Sequence, residues 1–491
     1  MHLLLRCDAC PSTGVGHAVR CLALAEAARA SGHDVTWSGQ LDAVGWLRAD
    51  LAGLTVLPRE DTPGRLAALT RDVGADTVHV DHYTLPSALR GPLEAAGVAL
   101  SNIEDAEHGR RPADVVVDPN LDAGTQPRPA DGSRIVLRGL EYALLRPAVI
   151  EARRVRATAP ASGGQLRVLV VMGGTDAAGL LDPVLAALDA AALPAEVDVI
   201  VPAGRDLRPF PAGPVRLYPS QPRADLPQLM ARADLVISAA GTTVWELCCI
   251  GAPMALVRAA DNQTSGYAAV VAAGAAVGLG GPDDLADTGA TAAAVHALLT
   301  DAPARALLGQ QAARLVDGSG ASRVVTAIEG VLGSALSAVR VRRAAPADAE
   351  LLFRWRNDEA TRRWSRSPEV VDWGEHIRWF EASLAREGRL LLILDDAAGV
   401  PVGTVRWDRQ RDGEWEVSIT LAPSQRGRGL AAMVLRAGEE ELIRVCGAGV
   451  LAHARVYVSN TASRKLFSRG GYDSAGPPDG AGLTPYRKLL S

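Results

Sequence analysis

No apolar stretch in the 491 residues reaches the ~20 uncharged positions that a membrane-spanning helix requires, so a spanning helix is excluded. The first apolar run is broken at once by Arg6, Cys7 and Asp8, which argues against a signal peptide and for a cytoplasmic protein. No basic block or aromatic-basic stripe occurs, and a nucleic-acid surface is therefore not expected. Repeats of short period are absent as well. Cysteine is scarce, at six residues. Cys7, Cys10, His17 and Cys21 have a spacing that invites a zinc reading, but no second C-x-x-C completes it. Cys7 falls at a strand end and Cys21 on an apolar helix face, so no metal is expected. Cys248, Cys249 and Cys446 are expected as small core residues in a reducing compartment.

The composition, 48% hydrophobic and 22% charged, is that of a globular protein, and the length suggests about three domains. The net charge of −5 is unevenly spread: acidic residues dominate before residue 339, and basic ones, nearly all Arg, slightly dominate after it. An anionic cofactor toward the C-terminal end fits that balance.

Residues 1–152 alternate short apolar strands (HLLLR, DVTWSG, TVHVDH, VALSNIE, DVVVDPN) with helical stretches, the rhythm of a parallel sheet. Residues 153–164, rich in Arg, Ala, Pro, Ser and Gly, read as a linker. A second alternation over 165–336 runs through LRVLVVMGG, VDVIVPAG, LVISAAG and MALVRAA. Two doubly wound, Rossmann-like α/β domains are expected, with a cleft at the carboxyl ends of their strands. Residues 339–491 break the rhythm, and their strand and helix order predicts a smaller α+β domain.

Between Arg6 and Cys21 the chain reads RCDACPSTGVGHAVRC, a polar loop with Gly14 and Gly16 that ends in His17 where a helix over 18–32 begins. Backbone N–H groups at such a helix start attract phosphate, and the positive helix end disfavours imidazolium. His17 is thus the candidate catalytic base. Asp8 either orients this loop or the imidazole, or caps the turn around Pro11. GGTDAAG, with Gly173, Gly174 and Thr175, and SAAGTTVWELCC, with Ala240, Gly241 and Thr242, are small-residue turns at strand ends where backbone can approach a diphosphate. Glu246 follows on the next helix, placed to accept from ribose hydroxyls. Any one turn alone is explained by tight βα connection; their joint occurrence with TGVGH favours nucleotide binding.

The opening RCDACPSTGVGHAVRCLALA resembles the UDP-sugar hydrolases of pseudaminic acid biosynthesis. So do VDHY (80–83), RGLEYALLRP (138–147), GGTD, AAGTTVWE and DNQ (261–263). The resemblance covers about 1–335. It implies a two-domain fold of the GT-B glycosyltransferase type that passes the sugar to water, breaking the C1–oxygen bond of UDP-2,4-diacetamido-2,4,6-trideoxy-β-L-altropyranose. It also implies His17 as the base that activates water, Tyr83 and Asn262 as groups holding that water, and Glu246, Gln263 and the Gly241–Thr242–Thr243 turn at UDP. Asp81 and His82 are expected behind the reacting residues, and His79 and His108 at the surface or in packing.

From Val339 the chain resembles GCN5-related N-acetyltransferases, on QRGRGLA (425–431) and NTASRKLFSRGGY (460–472). The resemblance implies that Leu421, Gln425, Arg426, Gly427, Arg428, Gly429, Leu430, Ala431, Asn460 and Ser463 hold acetyl-CoA, its pyrophosphate cradled by backbone N–H groups at the helix start. WRN (355–357) with HIRWF (376–380) resembles the acetyltransferase of the same sugar pathway. Glu416, on the strand before this loop, is either a base acting through water or a solvent-facing carboxylate. Phe467 stands where the family often has a tyrosine acid. The whole chain thus reads as a fusion: N-acetylation of a UDP-4-amino sugar, then hydrolytic release of UDP. The alternatives are a glycosyltransferase with a fused acetyltransferase and a nucleotide-sugar-binding regulatory module.

Overall fold

A computed structural model describes residues 1–9, 15–42, 45–47, 50–158, 165–207, 213–337, 339–396, 399–426 and 430–490. The chain divides into two compact units, one formed by residues 1–94 and 98–330, the other centred on 331–491.

The first unit contains two parallel sheets. The N-terminal one is built from β1 (His2–Cys7), β2 (Asp34–Ser38), β3 (Thr55–Leu57), β4 (Thr77–Asp81), β5 (Ala99–Ile103), β6 (Val115–Asp118) and β7 (Ile135–Arg138), in the order β3-β2-β1-β4-β5-β6-β7. The second is built from β8 (Leu166–Val171), β9 (Ala195–Ile200), β10 (Val215–Ser220), β11 (Leu235–Ala239), β12 (Met254–Val257) and β13 (Val277–Gly278), in the order β10-β9-β8-β11-β12-β13. Central strands such as β1 and β8 are buried on both faces, which is why they read as unbroken apolar runs. In each sheet the chain leaves the first strand for one side and later returns to the other, creating a switch point at the carboxyl ends of β1 and β8.

The expected linker is in part helical. The helix Pro147–Thr158 carries Val149 and Ala152 into one core with Leu169, Val171, Val236 and Met254 of the second sheet. Arg153 donates to the carbonyls of Cys249 (3.1 Å) and Val316 (2.6 Å), and Arg156 to those of Gly251, Ala231 and Ala233. Arg and Ala, which suggested a loop by composition, are good helix formers, and packing decides the matter. Residues 159–164 of the expected linker lie outside the described residues.

The second unit is a mixed sheet of β14 (Arg340–Arg343), β15 (Arg389–Asp395), β16 (Pro401–Arg409), β17 (Trp415–Leu421), β18 (Val450–Tyr457), β19 (Asp473–Ser474) and β20 (Leu483–Leu490), in the order β14-β15-β16-β17-β18-β20-β19. All pairs are antiparallel except β17 with β18. Helices Leu430–Cys446 and Thr461–Arg469 cover one face through Val434, Leu435 and Phe467. Helices Ala349–Asn357 and Trp373–Ala385 cover the other beside β15. Cys7, Cys21, Cys248 and Cys249 are buried, whereas Cys446, expected in the core, is exposed at the end of its helix.

Candidate active sites

Register places Cys7 at the end of β1 opposite Asp81 at the end of β4. The helix Gly16–Ala30 begins just beyond β1 and carries His17 and Arg20 one turn apart, so both side chains reach the same carboxylate. His17 Nδ1 lies 2.5 Å from Asp81 Oδ1. Arg20 grips Asp81 twice, Nε to Oδ2 at 2.5 Å and Nη2 to Oδ1 at 2.8 Å. It also donates to both oxygens of Asp105, at 3.1 and 3.0 Å. Burial alone would raise the Asp81 pKa, but the charge of Arg20 and the hydrogen bonds that Arg20 and His17 donate hold it well below the ordinary range. Asp81 is therefore ionised and only accepts, which puts the proton of a neutral His17 on Nδ1 and leaves Nε2 with a lone pair. Arg20 Nη2, 3.1 Å from the same Nδ1, is a neighbour rather than its donor.

Tyr83 stands edge-on to His17, ring centroids 4.6 Å apart, and its hydroxyl donates to Asp105. Burial and the Asp105 carboxylate push the phenol well above its ordinary pKa. Asp105 accepts also from Asn120, 3.2 Å away, which in turn bonds Asp118 at 2.8 Å. One buried guanidinium thus ties together the carboxylate that orients His17 and the carboxylate that orients Tyr83. Arg20, Asp105 and Asn120 escaped the sequence reading. Only the His17–Arg20 spacing of one helical turn carried a signal.

Asp8 does not touch the His17 imidazole. Its carboxylate takes hydrogen bonds from Arg6 (2.9 Å), His82 (3.1 Å) and the Gln40 N–H (2.8 Å), which outweigh burial and hold its pKa far below the usual range. The Thr84 N–H donates to His82 Nδ1, so His82 Nε2 carries the proton given to Asp8. Asp8, a candidate to orient the loop or the imidazole, locks the end of β1 to the chain beyond β2. His79 is buried against Ser101 at 2.9 Å, and His108 is exposed with its ring 5.7 Å from that of Tyr83.

The two lobes of the first unit meet at the expected glycine turns. A Cβ on Gly16 would stand 2.9 Å from Thr242 Oγ1, and one on Gly174 would stand 2.7 Å from Val15 Cγ2. Gly173, at φ +75°, has the left-handed backbone that favours glycine. A cavity between the lobes is lined by Gly16, Arg20 and Leu144 on one side and Thr242, Trp245 and Glu246 on the other. Glu246 is buried, which raises its pKa against the pull of Arg146, whose Nη2 is 3.9 Å from Oε1. Arg146, unforeseen, also reaches Asp50 at 3.5 Å. Among the described residues no acceptor engages the N–H groups of Gly241, Thr242 and Thr243 at the start of the helix Thr243–Ile250. Gln263 accepts from the Ala259 N–H at 2.8 Å, which leaves its amide nitrogen beside Gly241. The Ala240 N–H is spent on Val257.

The GGTD turn differs from expectation. Asp176 accepts from the Leu180 and Leu181 N–H groups, so the helix after β8 starts on an internal carboxylate. Thr175 is exposed, as is Asn262 in the turn Asp261–Gln263, and among the described residues no contact joins either to His17. Gly14 lies outside the described residues.

In the second unit, β17 and β18 pair only at Trp415 with Ala452 and Glu416 with His453, and then part. Among the described residues nothing pairs with the β18-facing edge of β17 beyond Glu416, which leaves a slot suited to an extended, amide-bearing chain. Leu421 ends β17 with its side chain on the core, and the Gln425 N–H bonds the Ala422 carbonyl within its turn. The Arg426 guanidinium is held by Asp358 (2.5 Å) and Thr361 (2.6 Å). Gly427, Arg428 and Gly429 lie outside the described residues. Leu430 and Ala431 open the helix Leu430–Cys446. The Asn460 side chain caps its helix by accepting from the Ser463 N–H at 3.0 Å, a structural use of a residue expected at the cofactor. Phe467 is buried edge-on to Tyr472, ring centroids 5.1 Å apart.

Residues 339–473 match the acetyltransferase (GNAT) domain family. Over 169 residues the chain is 38% identical to the UDP-N-acetylglucosamine--N-acetylmuramyl-(pentapeptide) pyrophosphoryl-undecaprenol N-acetylglucosamine transferase of Rhodopseudomonas palustris, a match covering 32% of this chain. The chain spans about half, 46%, of that relative's length. The structure of Acinetobacter baumannii MurG aligns at 18% identity and TM-score 0.50, covering 67% of this chain and 99% of MurG. The acetyltransferase yncA of Salmonella typhimurium, solved with acetyl-CoA, aligns at 24% identity and TM-score 0.27 over 31% of this chain and 95% of its own. The architecture is that of two parallel-sheet, Rossmann-like domains resembling GT-B proteins, followed by a GNAT domain with a mixed sheet.

Proposed function

We propose that the first unit hydrolyses a UDP-linked diamino sugar and that the GNAT domain N-acetylates its 4-amino precursor from acetyl-CoA. The observation that carries the first half is the His17–Asp81 contact at 2.5 Å beside the turn of Gly241 and Thr242. Asp81 fixes the imidazole so that Nε2 accepts a proton from water as the water oxygen attacks C1. The C1–oxygen bond breaks, and UDP leaves with the electron pair, its charge met by the free N–H groups of Gly241 to Thr243. Glu246 and Gln263 are the groups we assign to the nucleotide. The resemblance of the sequence supports UDP-2,4-diacetamido-2,4,6-trideoxy-β-L-altropyranose as the substrate and pseudaminic acid biosynthesis as the setting we propose for the pair of reactions.

For the GNAT domain, the open edge of β17 fits the amide-bearing arm of acetyl-CoA as acyl donor. The transferase named among the relatives favours a second reading, in which the first unit gives the sugar to an acceptor. Incubation with the UDP-4-amino sugar, with and without acetyl-CoA, followed by mass and NMR, separates them. Hydrolysis yields free acetylated sugar and UDP with no acceptor present, and His17→Ala stops UDP release while sparing acetylation. Release of UDP only on addition of an acceptor would establish transfer instead.

A further inference from the structure

A row of ionisable side chains crosses the GNAT sheet in register: Arg389, Asp408, Glu416, His453 and Arg487 on five successive strands. Trp415 and Val417 on β17, and Ala452 and Ala454 on β18, enter the core under the helix Leu430–Cys446. Alternation therefore turns Glu416 and His453 to the opposite face. Their pairing is also the last rung before β17 and β18 part. An extended chain laid in the slot lies next to this rung.

His453 is 9% exposed. Its Nε2 is 3.8 Å from Glu416 Oε2 and its Nδ1 is 3.5 Å from Glu414 Oε2, yet the buried Nδ1 has no hydrogen-bond partner among the described residues. The imidazole thus sits between two carboxylates without a hydrogen bond to either. The carboxylates do not need its charge, because Glu416 is paired with Arg366 and Glu414 with Arg487, 3.2 Å away. Burial pushes the imidazole pKa down, Glu416 and Glu414 oppose this, Arg455 adds to it and Asp412 opposes it; the net direction is downward. A neutral imidazole flanked by two carboxylates can take up a proton and have the resulting charge stabilised.

We propose that His453 is the base that takes the proton from the amine acetylated by this domain, with Glu414 and Glu416 stabilising the imidazolium. This rests on the acetyl-transfer reading above. The amine nitrogen forms a bond to the thioester carbonyl carbon, the carbon–sulfur bond breaks, and the coenzyme A sulfur leaves with the electron pair and takes a proton from solvent. The proton lost by nitrogen passes to His453. Glu416, the candidate base of the sequence, becomes a positioning residue.

The test uses the full-length protein with acetyl-CoA and the UDP-4-amino sugar, following thiol release and product mass. We expect His453→Gln to lower kcat/KM by about 10²–10⁴-fold. Coenzyme A binding by calorimetry should be unchanged, and the acid limb of the pH profile should vanish. His453→Ala should recover activity with added imidazole, and Glu416→Gln should keep the acid limb but shift it to lower pH. If the parent makes no acetylated product, the acetyl-transfer reading falls and this one with it. If the parent acetylates and His453→Gln stays within a few-fold of it, or Glu416→Gln is the variant that loses the acid limb, His453 is not the base. His453→Asn serves where the Gln variant does not fold.

Discussion

His17 and Arg20, one helical turn apart, share the carboxylate of Asp81, one through Nδ1 and the other through Nε and Nη2. Asp81→Asn puts an amide where an obligate acceptor stood and allows the imidazole to carry its proton on Nε2, the atom assigned to water. UDP release should fall by about 10²–10⁴-fold, the range of a lost general base, with UDP binding retained. An unchanged rate with a folded variant would remove the dyad from the mechanism.

Arg20 is the shared donor between Asp81 and Asp105, and only a planar fork can serve both. Arg20→Lys keeps the charge and loses the geometry, so it should slow UDP release and destabilise the first unit by about 1–3 kcal/mol, as buried acceptors go unmatched. Tyr83→Phe should cost less stability, because Asp105 keeps Arg20 and Asn120. Thermal unfolding and steady-state UDP release on the two variants compare these directly.

The close approach of Gly16 to Thr242 joins the lobes at the turn proposed to meet the nucleotide. Gly16→Ala brings a methyl to 2.9 Å from Thr242 Oγ1 and should raise KM for the UDP-sugar. Thr242→Ala in the same chain should restore part of the loss if the clash is the cause. Equal defects in the single and double variants would show that Gly16 acts otherwise.

Two buried groups give the first unit opposite responses to acid. Burial lowers the His79 pKa to about 4, below its unfolded value, so the stability it contributes is present above about pH 6.5 and is lost as pH falls toward 4. Burial raises the Asp118 pKa to about 6, so the unit gains stability as pH falls from about 6 to 4, where Asp118 takes up a proton before the unfolded chain does. Each is worth about 3 kcal/mol at full excursion, and they offset one another. His79→Gln should therefore leave a variant that stabilises on acidification relative to the parent, and Asp118→Asn one that destabilises. Denaturant midpoints between pH 4 and 7.5 read both slopes.

The central strands were legible because both their faces are buried, which leaves a plain apolar signature in β1, β4, β8 and β11. The edge strands β3, β7 and β10 escaped, being short or half exposed, with Pro219 inside β10. The glycine turns were legible because only a residue without Cβ allows the lobes to approach. The use of Asp81 and Asp105 was not, since their meeting at Arg20 depends on three chain segments converging. Asp176 shows the converse: a motif that resembled a phosphate turn supplies its own anion.

The helix Pro147–Thr158 gives the second lobe of the first unit a border in space that differs from its border in sequence. A second lobe expressed from residue 165 would lack Val149 and Ala152 and would leave the carbonyls of Cys249, Gly251 and Val316 without their guanidinium partners. One begun at residue 140 carries its own plug. The shorter fragment should be insoluble and the longer one folded, so the first 139 residues and the remainder are the halves into which this unit can be cut and mixed back together.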